Sequence, residues 1–223
     1  AFTFNKITDG VYHAVGTGSL VVMSNATIIE GDRDVLVVDS HVSPGGAWAL
    51  REELKKVTPK PIRYVVNSHF HFDHSHGNQI YGPEVEIIGH EFARAQMVAG
   101  KSMDSPAREF FVGGVPNQIA ALEKRLAAAT DDKTKADLER TLAIQRNHLE
   151  GTNAVVPTPP NVTLTHAMTL YRGSREIRLL HLGRGHTAGD VIVHLPKERI
   201  IATGDFLVEG TSYMGDAYFT EWV

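Results

Sequence analysis

The sequence contains no cysteine, which excludes disulfide bonds and thiolate metal ligands. No apolar run approaches the roughly 18 residues that a membrane-spanning helix needs, so we expect no membrane partner. A basic excess is also lacking, because 22 lysines and arginines are set against 26 aspartates and glutamates. The resulting net charge of -4 argues against a nucleic-acid partner. The G-x-S-x-G pattern that carries a serine nucleophile is absent as well.

The remaining composition is that of an ordinary soluble globular protein, with 42% hydrophobic and 22% charged residues. A chain of 223 residues is long enough for one sizeable core, so we predict a single domain over residues 1–223. The sequence begins at Ala1 without a methionine. This start is compatible with a mature protein after signal removal or with an artificially trimmed chain, and it slightly favours a periplasmic or secreted location over a cytoplasmic one.

The first third of the chain is rich in short β-prone runs separated by glycine and asparagine. Their short spacing predicts an antiparallel meander. Further along, helical spacing alternates with short apolar runs, which predicts helices between strands. The predicted strands are 11–15, 19–23, 26–30, 35–39, 62–66 and 85–88, and the predicted helices are 47–56 and 90–98.

Residues 101–160 depart from this alternation of predicted strands and helices. Leucine stripes over 118–129 and 136–149 predict a helical hairpin inserted between two core strands, with Asp131 as the N-cap of its second helix. Three roles remain open for the insertion: an extra packing layer, a lid over a functional site, or the contact surface of a homodimer. The loop from Ser102 to Pro116 is the place where we expect substrate contacts.

The strongest signal is a short run of potential metal ligands. His69, His71, Asp73 and His74 follow directly on the apolar run 62–66. Ligands at the carboxyl end of a core strand occupy the usual position of a site in an α/β protein. Neutral imidazoles and a carboxylate suit zinc and similar divalent metals. A solvated histidine-rich loop or an expression tag is the alternative, but the interrupted spacing within the chain favours a metal site.

The His-x-His-x-Asp-His run after a strand resembles the metallo-β-lactamase superfamily. Three further segments resemble the family in the same order along the chain. Segment 35–40 ends in Asp39-Ser40, segment 185–190 contains His186, and segment 200–205 ends in Asp205. The resemblance implies an α+β fold, a four-layer αββα sandwich of two sheets with helices outside, here with the helical hairpin inserted.

The resemblance also implies two metal sites. His69 and His71 lie two residues apart on an extended segment and point the same way, and His186 would complete a three-imidazole site with an open position. Asp73, His74 and Asp205 would hold a second metal, with Asp205 bridging. Zinc is the expected cofactor, with manganese or iron as alternatives. Asp39 and Thr187 are expected to orient the ligands.

The function implied is that of a binuclear metal-dependent hydrolase. A metal-bound or bridging hydroxide would attack an ester, thioester, lactone or related bond of a small molecule, and Asp73 would orient it or accept its proton. The β-lactamase activity of the same fold is an alternative. It is disfavoured by the aspartate at position 205, where the lactamase branches mostly place cysteine or a non-ligand.

One element of the family pattern is missing. No histidine follows Asp205, although the family's final histidine ligand lies beyond that position. We therefore expect the fold to be incomplete at its C-terminus, without its last strand and helix. His41 and His76 are internal candidates for the remaining ligand. A degenerate, non-catalytic metal-binding protein is the second alternative to an enzyme.

Overall fold

A computed structural model describes residues 1–222 of the chain. It contains a seven-stranded sheet in the order β1 to β7 and a four-stranded sheet in the order β11-β10-β9-β8. The strands are Phe2–Thr8 (β1), Val11–Gly16 (β2), Ala26–Glu30 (β3), Val35–Val38 (β4), Ile62–Val66 (β5), Glu86–His90 (β6), Val162–Leu164 (β7), Ala167–Arg172 (β8), Arg175–Leu180 (β9), Ile192–Leu195 (β10) and Ile200–Ala202 (β11). The helices are Pro44–Leu54 (α1), Phe72–Ser75 (α2), Glu91–Val98 (α3), Pro106–Val112 (α4), Val115–Ala128 (α5) and Asp132–Asn153 (α6).

The seven-stranded sheet changes direction at β4. Strands β1 to β4 pair antiparallel, which confirms the predicted meander. Strands β4 to β7 pair parallel, so their carboxyl ends meet at one edge of the sheet. The loops that follow β4 and β5 therefore lie side by side, and these loops contain Asp39 and the His69–His74 run.

The two sheets pack face to face through a core to which both contribute. Ile29, Val38 and Val66 from the first sheet join Leu179 and Val193 from the second in one buried cluster. A second cluster joins the outer face of the first sheet to α1. The predicted α+β class with two packed sheets is thus observed. The first sheet buries apolar residues on both faces, because one face packs against the second sheet and the other against α1.

Three helices, not two, lie in the inserted segment 101–160. Helices α5 and α6 pack against each other, and the Asp131 carboxylate accepts a hydrogen bond from the Thr134 backbone N–H at 2.8 Å. Helix α4 lies within the segment predicted as a loop, 102–116. Ser105 caps this helix by accepting a hydrogen bond from the Arg108 N–H, and Pro106 occupies its first turn. The residues at this position therefore determine where the helix begins.

No helix among the described residues is long and apolar enough to cross a membrane.

Candidate metal centre

The predicted ligands come together at the edge where the parallel strands end. The backbone N–H of Val191, just before β10, donates to the Ser68 carbonyl at 2.7 Å and ties the second sheet to the loop after β5. This contact brings the β9–β10 loop with His186 beside His69 and His71. Asp205 reaches the same place from the end of β11.

Three imidazole nitrogens converge in one set. His69 Nε2 and His186 Nε2 each lie 3.0 Å from His71 Nδ1, and all three side chains are buried. Bonds of 2.0–2.1 Å in a tetrahedral zinc site place neighbouring nitrogens roughly 3.3 Å apart. The distances between the nitrogens of the three-histidine set are therefore close to those that a tetrahedral zinc ion requires, without any movement of the side chains.

The opposite nitrogen of each of these histidines has its own partner. His71 Nε2 donates to the Asp216 carboxylate at 2.9 Å, and His186 Nδ1 lies within hydrogen-bond distance of the Ser212 hydroxyl, at 3.1 Å. His69 Nδ1 donates to the Ser68 hydroxyl at 3.0 Å. The contacts of His71 and His69 select the tautomers in which the converging nitrogen carries the lone pair, and the Ser212 hydroxyl is compatible with the same tautomer of His186; this is the arrangement that metal-binding histidines require.

A second set forms around His74. Its Nε2 lies 3.4 Å from the Asp73 carboxylate and 3.3 Å from Asp205 Oδ1. The other oxygen of Asp205 lies 3.7 Å from His186 Nε2, so this carboxylate faces both sets. Donor atoms of His69, His74 and Asp205 all lie within 4.8 Å of one another. The donors therefore form two adjacent groups that could hold a metal ion, and Asp205 faces both.

Asp39 supports both sets from beneath. One of its oxygens accepts from His74 Nδ1 and from the Ser68 hydroxyl, each at 2.8 Å, and the other accepts from the Ser68 N–H at 2.7 Å. Ser68 in turn accepts from His69, so one carboxylate orients two histidines. Asp39 has φ of 68°, a conformation costly for a residue with a side chain, which the surrounding contacts hold in place.

The shifted pKa values of His69 and His186 favour the neutral form of both rings, which is the form that can bind a cation. Burial, and then the neighbouring imidazoles, lower the pKa of His69 well below its ordinary value. Burial and the charge of His71 lower the pKa of His186 to about 4. Both rings are therefore neutral at physiological pH, which is the form that binds metal.

His74 behaves in the opposite way. Burial acts to lower its pKa, but Asp73, Asp39 and Asp205 together raise it well above its ordinary value. Burial likewise acts to raise the pKa of Asp205, but the hydrogen bond and charge of His74 outweigh it and lower that pKa to about 2. Without a cation, a protonated His74 offsets part of the negative charge of the carboxylates around it, and a bound metal would displace the proton on its Nε2.

Other candidates lie outside the two sets. Thr187, which was expected to orient a ligand, donates its hydroxyl to Asp190 at 2.7 Å, an interaction within its own turn. His41 and His76, the internal candidates for a further ligand, belong to neither ligand set. His41 is buried with its Nδ1 3.1 Å from the Ser24 hydroxyl, and its ring lies against Phe2.

Sequence reasoning did not find Ser68, Ser212 or Asp216. Ser68 lies between recognised residues and could have been found from its position beside His69. Ser212 and Asp216 lie in an irregular segment with no motif. Gly204, just before Asp205, is a residue that the sequence could have indicated as part of the site. Its φ is 52°, and a Cβ there would lie 2.4 Å from Ser68 Oγ. Glycine is therefore required where β11 turns toward Asp205.

Two cavities open onto the centre. One of about 700 Å³ lies on the side of Asp73, His74 and Asp205, between β2–β3 and the end of β11. The other, of about 230 Å³, lies beside His71 and is walled by the rings of Phe111 and Tyr213. The side chains of the candidate centre are thus accessible to a small molecule from two directions.

The fold and centre define a class: a two-sheet α+β protein with a histidine-rich metal centre at the strand ends. The chain matches the model of the metallo-beta-lactamase superfamily over residues 20–222. It belongs to that superfamily, whose members include metal-dependent hydrolases.

Two curated relatives and two solved structures illustrate the relationship. The chain is 24% identical over 221 residues to the 2,4-dinitroanisole O-demethylase subunit alpha of Nocardioides sp. (strain JS1661), covering 97% of this chain and 48% of that one. It is 22% identical over 185 residues to the linear primary-alkylsulfatase of Pseudomonas sp. (strain ATCC 19151), covering 80% of this chain and 32% of that protein. It therefore spans half or less of the length of these relatives.

Two metallo-β-lactamase structures share the fold. The enzyme from Pontibacter korlensis superposes with a TM-score of 0.67 at 16% identity, over 100% of this chain and 81% of the other. The DIM-1 metallo-β-lactamase superposes with a TM-score of 0.64 at 17% identity, over 99% and 79%. The αββα class predicted from the sequence is confirmed by these matches.

Replacing Asp216 with alanine should weaken metal binding by about 10- to 100-fold, because His71 would lose the acceptor that fixes its tautomer. Competition with a chromophoric chelator measures the affinity. Asp137→Ala, on an exposed face of α6, is the matched control and should leave the affinity unchanged. Equal affinities for the two variants would show that Asp216 does not orient His71.

The metal-free protein should lose stability in acid. His41 and His76, like His186, have their pKa lowered to about 4, chiefly by burial. The unfolded chain takes up protons on these rings below its ordinary pKa of about 6.5, whereas the folded chain does so only near 4. Stability therefore falls as pH drops through this window, and the raised pKa of His74 offsets only part of the loss.

Urea unfolding after chelator treatment, at pH 7 and pH 5, measures this change. Each of these histidines contributes about 2 kcal/mol between the two pH values, so a total loss of several kcal/mol is expected. Equal stability at the two pH values would mean that these rings are not buried in the neutral form.

Proposed function

We propose that this protein is a metal-dependent hydrolase that cleaves an uncharged ester, thioester or lactone. The observation that carries the proposal is the convergence of four histidines and Asp205 with every opposite histidine nitrogen held by a hydrogen-bond partner or carboxylate. A purely structural metal site closes its coordination shell, whereas this centre faces two cavities. Membership of a superfamily of hydrolases supports the same conclusion.

The charge of the cavity walls favours an uncharged substrate. Neither wall contains a lysine or arginine among the described residues, but Asp73, Asp205 and Glu209 line both cavities. An anionic group taken out of water needs a cation or several donors to compensate its desolvation. Asp73 and Asp205 are proposed metal ligands, so the ions would offset their charge, and Glu209 is the carboxylate that remains on both walls to repel an anion. A neutral carbonyl compound meets no such repulsion.

Two zinc-type ions are the proposed cofactors, with manganese or iron as alternatives. His69, His71 and His186 would hold one, and His74, Asp73 and Asp205 would hold the other, with Asp205 shared. Such ions supply Lewis acidity and lower the pKa of water toward ~7, which provides a nucleophile at neutral pH.

The chain's own residues then orient the reactants. Asp73 lies at the junction of the two cavities, 20% exposed, and its carboxylate is positioned to accept a proton from the attacking water. Phe111 and Tyr213 form an apolar wall on which one part of a substrate packs. The larger cavity, of about 700 Å³, receives the other part.

Two other functions deserve a direct test. A β-lactam carries a carboxylate and an alkyl sulfate carries a sulfate, and each would bring an anion to walls that contain Glu209 and no lysine or arginine among the described residues, so we expect slower turnover of both. A degenerate metal-binding protein is the other alternative. It would retain metal but show no turnover above that of free zinc.

Hydrolysis of a panel by the zinc-loaded protein distinguishes these functions. We expect p-nitrophenyl butyrate, an aliphatic lactone or an acyl thioester to be hydrolysed faster than nitrocefin or p-nitrophenyl sulfate. His186→Ala should abolish the activity. Preference for nitrocefin or the sulfate would overturn the proposed substrate class, and absence of all turnover with metal bound would overturn the enzymatic function.

A further inference from the structure

A row of three aromatic rings leads away from the metal centre to helix α4 of the insertion. The Tyr213 ring centroid lies 5.9 Å from that of His71, and the Phe111 centroid lies 6.3 Å from that of Tyr213. Phe110 continues the row, with its ring centroid 4.9 Å from that of Phe111. We refer to Tyr213, Phe111 and Phe110 as the α4 aromatic row.

The inner part of the α4 aromatic row forms a wall of the smaller cavity. Phe111 and Tyr213 both line the cavity of about 230 Å³, and His71 lines it as well. Ala107 lies one helical turn before Phe111 and lines the same cavity, so one face of α4 is directed toward it. A molecule that reaches the metal centre through this cavity would therefore contact α4.

The outer part of the row is exposed to solvent. Phe110 is 77% exposed and Phe111 is 44% exposed, while Val208, on the wall of the same cavity, is 37% exposed. A single exposed apolar side chain is common on a soluble protein and needs no explanation. Neighbouring apolar side chains that continue from a cavity are instead typical of a binding surface.

The protein core holds the α4 aromatic row in place. Ala107 and Val112 anchor α4, because both are buried in one cluster with Phe72, and Tyr213 packs against that cluster. The Phe111 ring centroid lies 6.3 Å from that of Phe72, so this ring has aromatic neighbours on two sides. Side chains that are already fixed lose little conformational entropy when a ligand packs on them, which favours binding.

We propose that the α4 aromatic row binds the apolar chain of an elongated substrate, such as an octanoyl ester, whose carbonyl lies at the metal centre. The proposal rests on the proposed hydrolase function and narrows its substrate class. The row begins beside His71 and ends at the surface, so a chain longer than the cavity could continue along Phe110. Methylene groups that pack on these rings lose contact with water, whereas a hydrated polar end would gain nothing there. Helix α4 would then be the part of the insertion that selects the substrate.

The dependence of ester hydrolysis on chain length tests this proposal. We expect the zinc-loaded protein to hydrolyse p-nitrophenyl octanoate with a kcat/KM about tenfold above that for the butyrate, since each methylene removed from water contributes up to about fourfold. Phe111→Ala should lower this ratio toward one, and Phe110→Ala should lower it by a smaller factor because its ring is more exposed. Equal kcat/KM values for the two esters in the wild type would overturn the proposal and leave the hydrolase function intact.

Phe111→Leu and Tyr171→Ala are the matched controls. Leucine keeps an apolar surface at position 111, so this variant should retain most of the octanoate preference. Tyr171 is a 70% exposed aromatic residue of β8 that lines a different cavity, and its replacement should leave the ratio unchanged. An octanoate preference that persists in Phe111→Ala would place the chain elsewhere and overturn the assignment to α4.

Binding of 1-octanol gives a test that does not depend on turnover. Octanol has the apolar chain but no bond that the proposed hydrolase would cleave. In saturation-transfer difference NMR, the methylene signals should be strong with the wild type, severalfold weaker with Phe111→Ala and unchanged with Tyr171→Ala. Equal signals with wild type and Phe111→Ala would overturn the proposal. Octanol binding at Phe111 without hydrolysis of any ester would support the binding row and overturn only the proposed hydrolase function.

A second copy of the chain is the other molecule that could cover these exposed rings. Sedimentation equilibrium of the wild type and of Phe110→Ala tests this alternative, and we expect the same oligomeric state for both. A dimer that dissociates in Phe110→Ala, together with octanol signals that Phe111→Ala does not change, would assign the rings to self-association and overturn the proposal.

Discussion

Replacing His69 with alanine is expected to abolish hydrolysis, with a loss of more than about a thousandfold in kcat/KM. His69 Nε2 lies in the three-histidine set and within reach of the His74–Asp205 set, so its removal affects both metals. The alanine also leaves His71 with one imidazole neighbour in place of two. Metal content by mass spectrometry and hydrolysis of p-nitrophenyl butyrate measure the two effects.

His166→Ala is the matched control for this substitution. His166 is exposed, and among the described hydrogen bonds its ring contacts the neighbouring Thr165 hydroxyl, at 3.0 Å. We expect this variant to keep full metal content and turnover within a few-fold of wild type. If His69→Ala retained wild-type activity, the metal at this centre would not take part in the reaction.

Removal of metal is expected to lower the melting temperature by about 8–16 °C. A metal present at a thousandfold excess over its Kd stabilises the folded state by about 4 kcal/mol, and each kcal/mol shifts the melting temperature of a chain of this size by about 2–4 °C. The physical reason is that the unfolded chain does not hold these donors together. Thermal unfolding with and without chelator, followed by addition of zinc, measures the shift and its reversal.

Asp205→Asn separates the two metal sites in this experiment. The change leaves the three-histidine set intact but removes the carboxylate that faces both sets. Zinc should still stabilise this variant, by less than it stabilises the wild type. An identical zinc-induced shift in Asp205→Asn and wild type would contradict a shared role for Asp205.

The local part of the centre could be predicted from the sequence. His69, His71, Asp73 and His74 follow one buried strand within a few residues, so their proximity depends on a single loop. His186 and Asp205 could be predicted only through the family resemblance, since their approach requires that the second sheet pack on the first. The structure brings all six candidate ligands to one place.

The supporting contacts could not be predicted in the same way. Asp216 meets His71 across 145 residues, and Ser212 meets His186 across 26, both from a segment without regular structure. No periodicity or motif marks such residues, because their position depends on tertiary packing alone.

Errors in the predicted elements have similar causes. Ser19–Met23 reads as a strand but forms no ladder, since Val22 is buried against the α1 side of the sheet as part of a loop. Phe2–Thr8 was not predicted as a strand because its polar residues obscure the alternation, yet it pairs with β2 along its length. Tertiary pairing overrides weak local preference in both segments.

The central claim is that His69, His71 and His186 hold a metal ion. Anomalous diffraction at the zinc edge from zinc-loaded crystals tests it most directly. A peak about 2.0–2.1 Å from His69 Nε2, His71 Nδ1 and His186 Nε2 is predicted, with a second peak beside His74 and Asp205. Zinc-loaded crystals with no peak among these three nitrogens would contradict the claim.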